Sequence, residues 1–122
     1  MSAPVFVAGI GIISAIGDNI AENLAALETG REGMSDITYL ETLHKNKLPV
    51  AEIKWSNDQL AEKAGLSNQI SRTALLSTIA AQEAIHDAGI ENFSSLRTGF
   101  ISANSVGGMD KTENFFNEFL RD

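Results

Sequence analysis

The chain has 122 residues, enough for one compact domain and too few for two. Its 9 basic and 16 acidic residues sum to −7, which argues against a nucleic-acid surface or an anionic membrane as partner. A 43% hydrophobic, 20% charged composition fits a soluble globular class, and zero cysteines exclude disulfides, thiolate zinc sites and a cysteine nucleophile within these residues.

The run Ala3 to Gly17 is mostly apolar, but it contains Pro4, Gly9 and Gly11, and the first basic residue is Arg31. It lacks the positive n-region of a signal peptide and is too short and glycine-rich to span a bilayer, so a cytoplasmic protein is expected. Within it, Val5-Phe6-Val7-Ala8 predicts a strand buried on both faces, and Gly9, Gly11 and Gly17 predict a permissive backbone after it. Asn19 followed by Glu22 resembles a capping box. Ile20, Leu24 and Leu27 then repeat at helical spacing, and Gly30 is a natural stop.

Leu48 to Ile53 reads as a short strand that Pro49 restricts to an edge or a strand start. Ser56 and Gln59 predict a capped helix through Ala64, closed by Gly65. A longer helix is expected over Asn68 to Ala88, with Gly89 after it. Its small residues, Ala74, Ala80, Ala81, Ala84 and Ala88, would let a neighbouring element approach closely. Arg97 to Ala103 predicts a second core strand running into Asn104-Ser105-Val106-Gly107-Gly108. Asp110 and Glu113 then open a helix carrying Phe115, Phe116, Phe119 and Leu120. Three of the six phenylalanines fall in the last eight residues, and no terminating turn precedes Asp122.

Few chemical motifs survive scrutiny. Gly9-Ile10-Gly11-Ile12-Ile13-Ser14 nearly matches the dinucleotide fingerprint, but Ser14 replaces the third glycine. The helix cap at Asn19 also comes too late to aim amides at a pyrophosphate, and Glu28 lies late in a helix rather than at a strand end. Val106-Gly107-Gly108 reads either as a close backbone approach to something bound or as a tight strand-to-helix turn; no Walker-type lysine follows. Glu41/His44 and Glu83/His86 share the ligand spacing of di-iron bundles, yet strands and glycine loops argue against an all-helical bundle, and no metal site is assigned. Ser14, Ser71, Ser102 and Ser105 lack a nucleophile-elbow context.

In order, these pieces resemble the N-terminal part of a β-ketoacyl-acyl carrier protein synthase, of the thiolase-like condensing-enzyme family. Val5 to Gly17 is similar to the family's "V-V-V-T-G-x-G-x-x-S-P-x-G" opening, with Ala15 in place of the proline. Asn23 to Gly33 resembles "W-x-A-L-x-x-G-x-S-G". Ser71 to Ile90 resembles the long helix ending in "D-A-G-L", and Thr98 to Gly108 resembles "x-G-x-x-x-G-S-x-x-G-G". The resemblance covers essentially the whole chain, residues 1–122, and about the first third of the family's catalytic unit.

The resemblance implies an α/β fold, an incomplete thiolase-like α/β/α layered unit holding the N-terminal portion of a five-stranded mixed sheet with flanking helices. It also implies decarboxylative Claisen condensation of an acyl thioester with malonyl-acyl carrier protein, in fatty-acid or polyketide-type biosynthesis, without a cofactor. The family's catalytic cysteine, two histidines and lysine all lie beyond Asp122 in its order, so no catalytic residue carries over and this chain alone is expected to be inactive. Val106 matches a position lining the acyl pocket, with Gly107 and Gly108 forming the adjacent turn. Phe115, Phe116 and Phe119 match a region near the pocket and the dimer interface. Acyl carrier protein is the implied partner, and a homodimer, or a heterodimer with another ketosynthase-like subunit, is the implied assembly. A catalytically silent partner subunit, or chain-length factor, would show the same N-terminal pattern. Relatives place several basic residues before and at the start of the long helix; here only Lys63 and Arg72 stand there. The two expected core strands are not neighbours in the family's sheet. Alone they would lack ladder partners, which predicts a poorly folded or associated chain.

Overall fold

The computed structural model describes residues 4–121; Ala3 and Asp122, which bound two of the sequence expectations, lie outside them. The architecture is mixed α/β: four helices and one small antiparallel sheet, in the order α1 (Ile20–Thr29), β1 (Met34–Ser35), β2 (Val50–Ala51), α2 (Asn57–Ala64), α3 (Arg72–Asp87) and α4 (Met109–Phe119).

The helix ends follow the local chemistry of the sequence. Asn19 caps α1 by accepting from the Glu22 amide at 2.9 Å. The Glu22 carboxylate reaches back to the Asp18 amide at 2.8 Å, one residue before the position a standard box would use. Gly30 closes the helix in the left-handed region, φ 65°. A reciprocal Ser56–Gln59 box opens α2, and Gly65, φ 67°, ends it. The long helix starts later than expected. Residues 67–70 form a turn, Ser71 becomes the cap, and Gly89, φ 64°, follows the C-cap Ala88.

The core lies where α2 packs on α3. Leu60 and Leu75 are fully buried there with Ala61 and Ala64, and Ile13, Trp55, Ile70, Leu76 and Ile79 pack around them. Burial of this kind is the main favourable term for so small a unit. On α1 the covered residues are Asn23 and Ala26, whereas Leu24 and Leu27 are 53% and 69% exposed. Their helical spacing is real, but the face turned inward is the one whose Asn23 amide binds loop carbonyls.

The strand expectations are corrected most. Within the expected 48–53 strand only Val50 and Ala51 pair, with Ser35 and Met34 respectively, just after Pro49. Val5–Ala8 and Arg97–Ala103 carry no ladder. Val5, Phe6 and Val7 are 80–95% exposed, and Phe100 and Ile101 are 84% and 97% exposed. An apolar run marks a surface to be covered, but a strand exists only when a neighbour takes its amides and carbonyls, and none of the described residues does so here.

Candidate functional site

The first glycine loop packs directly on α3. A Cβ at Gly9 would overlap the Ala84 carbonyl oxygen and stand 2.6 Å from the Ala88 nitrogen. One at Gly11 would overlap the Ala80 carbonyl oxygen and stand 2.7 Å from the Ala84 nitrogen. Neither glycine has a positive φ. Their role is therefore close approach to the Ala80–Ala84–Ala88 stripe, not the backbone freedom expected from the sequence. The Ile10 amide donates to Asp87 Oδ2 at 3.0 Å and the Ile12 amide to Glu83 Oε2 at 2.8 Å; Glu83 Oε1 accepts from the Ile20 amide at 2.8 Å. The glycines thus face a helix side rather than space for a pyrophosphate.

Beyond that crossing, Ser14 and Asn23 knot the loop. Ser14 Oγ donates to Asn23 Oδ1, and Asn23 Nδ2 donates to the Gly17 and Asn19 carbonyls at 2.9 and 2.8 Å. Ser14 Oγ also accepts from the Ile16 amide at 3.1 Å. Asn23 is 5% exposed and fully engaged, as a buried amide must be. Ser14 is a loop-holding hydroxyl.

Gly107 and Gly108 line an open cleft of about 560 Å³, between the Ala74, Thr78, Ala81 and Ile85 side of α3 and the irregular stretch at Phe100 to Asn104. Asn104 Oδ1 accepts from the Gly107 amide at 2.8 Å, and Gly108, φ 83°, is the N-cap of α4. The segment is a tight turn into a helix, and its backbone borders a cleft. Val106 is 67% exposed and outside the lining. Phe115, Phe116 and Phe119 are 66%, 56% and 65% exposed along α4. The structure places the glycines at a cavity and does not bring Val106 or these phenylalanines into it.

A second cleft, of about 600 Å³, opens between the β1–β2 connection, α3 and α4, with Tyr39, Glu52, Ile53, Arg72 and Asp110 on its walls. Arg72 organises it. Its guanidinium donates to the Ile53 and Trp55 carbonyls, both at 2.8 Å, and to Asn57 Oδ1 at 3.0 Å, while its amide donates to Asp110 Oδ2 at 3.1 Å. Glu52 sits in a nest of three consecutive amides, Thr38, Tyr39 and Leu40, at 2.7–2.8 Å, and pairs with Lys54 at 2.8 Å. Burial pushes its carboxyl up, but Lys54 and the three amides outweigh that and hold it down at about 2, against an ordinary 4.5.

The two basic residues near the start of the long helix, Lys63 and Arg72, are both engaged. Lys63 lies 4.3 Å from the centre of the Trp55 ring and pairs with Asp18 at 3.4 Å; Asp18 in turn accepts from Trp55 Nε1 at 2.7–2.8 Å. Of the Glu-x-x-His pairs, Glu83 has both oxygens on backbone amides with His86 exposed, and His44 stands exposed in a turn. No group of three or more metal-ligating side chains gathers among the described residues. Sequence reasoning missed Asn23, Glu52, Arg72 and Asp87. The i, i+4 spacing of Glu83 and Asp87 on the alanine-striped helix was the one available signal. No family model matches the chain, and neither a curated protein nor a solved structure matches it.

Proposed function

We propose that this chain is the N-terminal portion of a β-ketoacyl-acyl carrier protein synthase, an enzyme of decarboxylative Claisen condensation, and that its layered α/β/α unit is completed by further residues of that enzyme. The reading rests on four short segments in the family's order and spacing. The observation that carries it furthest is physical: two of those segments meet. Gly9 and Gly11 of the first lie on Ala80, Ala84 and Ala88 of the third, so the glycines and the alanines serve a single close crossing.

In this reading the residues of the chain shape and support; they do not react. Gly107 and Gly108 border a cleft and would form the turn beside the acyl site. Phe115, Phe116 and Phe119 are apolar surface for the acyl pocket wall or a second ketosynthase-like subunit to cover. Acyl carrier protein is a partner of the whole enzyme. Lys63 and Arg72 are already bound to Asp18, Trp55, Asn57 and Ile53, which argues against them as its docking cations. The cysteine thioester belongs to residues after Asp122, where a helix N-terminus would favour the thiolate. Intact-mass measurement after incubation with an acyl-acyl carrier protein tests the division of labour. Purified 1–122 should gain no acyl mass, and an acyl adduct on it would overturn the assignment.

A further inference from the structure

The crossing of residues 9–13 over α3 has a regular register. Two residues of extended chain advance about 6.7 Å and four residues of helix about 6 Å, so alternate strand positions can meet successive helical turns. The chain uses that match twice. Gly9 and Gly11 fall against Ala84–Ala88 and Ala80–Ala84, and the amides of Ile10 and Ile12 fall on Asp87 and Glu83, at 3.0 and 2.8 Å. The direction is antiparallel in both sets, so the glycines and the carboxylates specify one and the same register.

Amides at alternate positions of an extended segment lie along one edge and are the groups a neighbouring strand would accept. Ile10 and Ile12 donate to carboxylates one helical turn apart, as such a pair would, and both side chains are exposed, Ile10 at 57% and Ile12 at 40%. We propose that Glu83 and Asp87 act as an edge guard: their carboxylates occupy the amides of Ile10 and Ile12 and so withhold this strand-like segment from pairing with a second copy of the chain. Glu83 does this while its other oxygen takes the amide of Ile20, one of the unsatisfied donors at the start of α1, so the guard is anchored to the loop that follows it. The device is built from these residues alone.

The test uses the 1–122 chain, amide hydrogen exchange at Ile10 and Ile12, and sedimentation velocity over a concentration series. Replacing both carboxylates (Glu83→Ala with Asp87→Ala) should speed exchange at both amides in the monomer and lower the concentration of half-association about tenfold, the effect of two freed hydrogen-bond donors. Glu83→Gln with Asp87→Asn removes the same two charges but keeps an acceptor oxygen at each place, and should stay within about twofold of the parent. Unchanged exchange in the alanine pair overturns the proposal. So does association of the Gln/Asn pair as strong as that of the alanine pair, because charge repulsion would then be the cause. Exchange at Leu60 and Leu75 reports whether the α2–α3 core persists. If the alanine pair loses that core, Gly11→Ala decides, since its Cβ lifts the segment off α3 and leaves both carboxylates in place. Stronger association then supports the guard, and parent-like association overturns it.

Discussion

Gly11 and Gly99 separate two uses of the same residue type. At Gly11 an added methyl meets the Ala80 carbonyl and the Ala84 nitrogen, backbone atoms of a helix that cannot give way, whereas at Gly99 it meets open space with an ordinary φ. Gly11→Ala should therefore destabilise the chain by about 2 kcal/mol or more, and Gly99→Ala should stay within about 0.5 kcal/mol, both read from denaturant midpoints. The glycines stood out in the sequence as the exit of a strand that carries no ladder here, and the reason for them was not legible. A spacing does not reveal which helix the backbone will touch. Glu52 was not legible at all, because its partners are three backbone amides supplied by a connection without periodicity. Its folded carboxyl, near 2, lies below the ordinary 4.5, so its contribution is fully present above pH 4.5 and is lost as pH falls toward 2. Acid titration of stability should show this loss between pH 4.5 and 2, and Glu52→Gln should abolish that part of the pH dependence.

At the scale of elements, helices were far more readable than strands. A helix satisfies its own backbone, so a cap and a stop suffice to bound it. Ser56, Gln59 and Gly65 mark α2 to the residue, and Asn19 and Gly30 mark α1. The expected start of α3 at Asn68 was early because Ser71 offers a cap that Asn68 does not; the Asn68 side chain binds Asp58 instead. Strands at Val5–Ala8 and Arg97–Ala103 were read from composition, yet no described residue pairs with either segment. The α2–α3 pair carries the packed core of the described residues, with Leu75 fully buried between the two helices. Leu75→Ala should cost about 2–5 kcal/mol and broaden the thermal transition of both helices together. If α2 and α3 lost helicity in separate steps, they would not be one cooperative unit.

For the whole molecule, the ratio of covered to uncovered apolar surface is the telling property. Leu60 and Leu75 are fully buried, whereas Val5, Phe6, Val7, Phe100, Ile101, Phe115 and Phe119 are each at least 65% exposed. No helix among the described residues is long and apolar enough to cross a membrane, and the exposed residues are spread over two extended segments and α4. Exposed apolar segments call for a covering surface, and the proposed condensing enzyme would supply one. Under the proposed reading, the cysteine that these 122 residues lack would stand later in the enzyme. The most direct measurement is the coding sequence beyond Asp122. The account predicts an open frame that continues to a cysteine in a Thr-Ala-Cys context, followed much later by two histidines. A frame that terminates at Asp122, or continues without either the cysteine or a residue replacing it in that context, would contradict it.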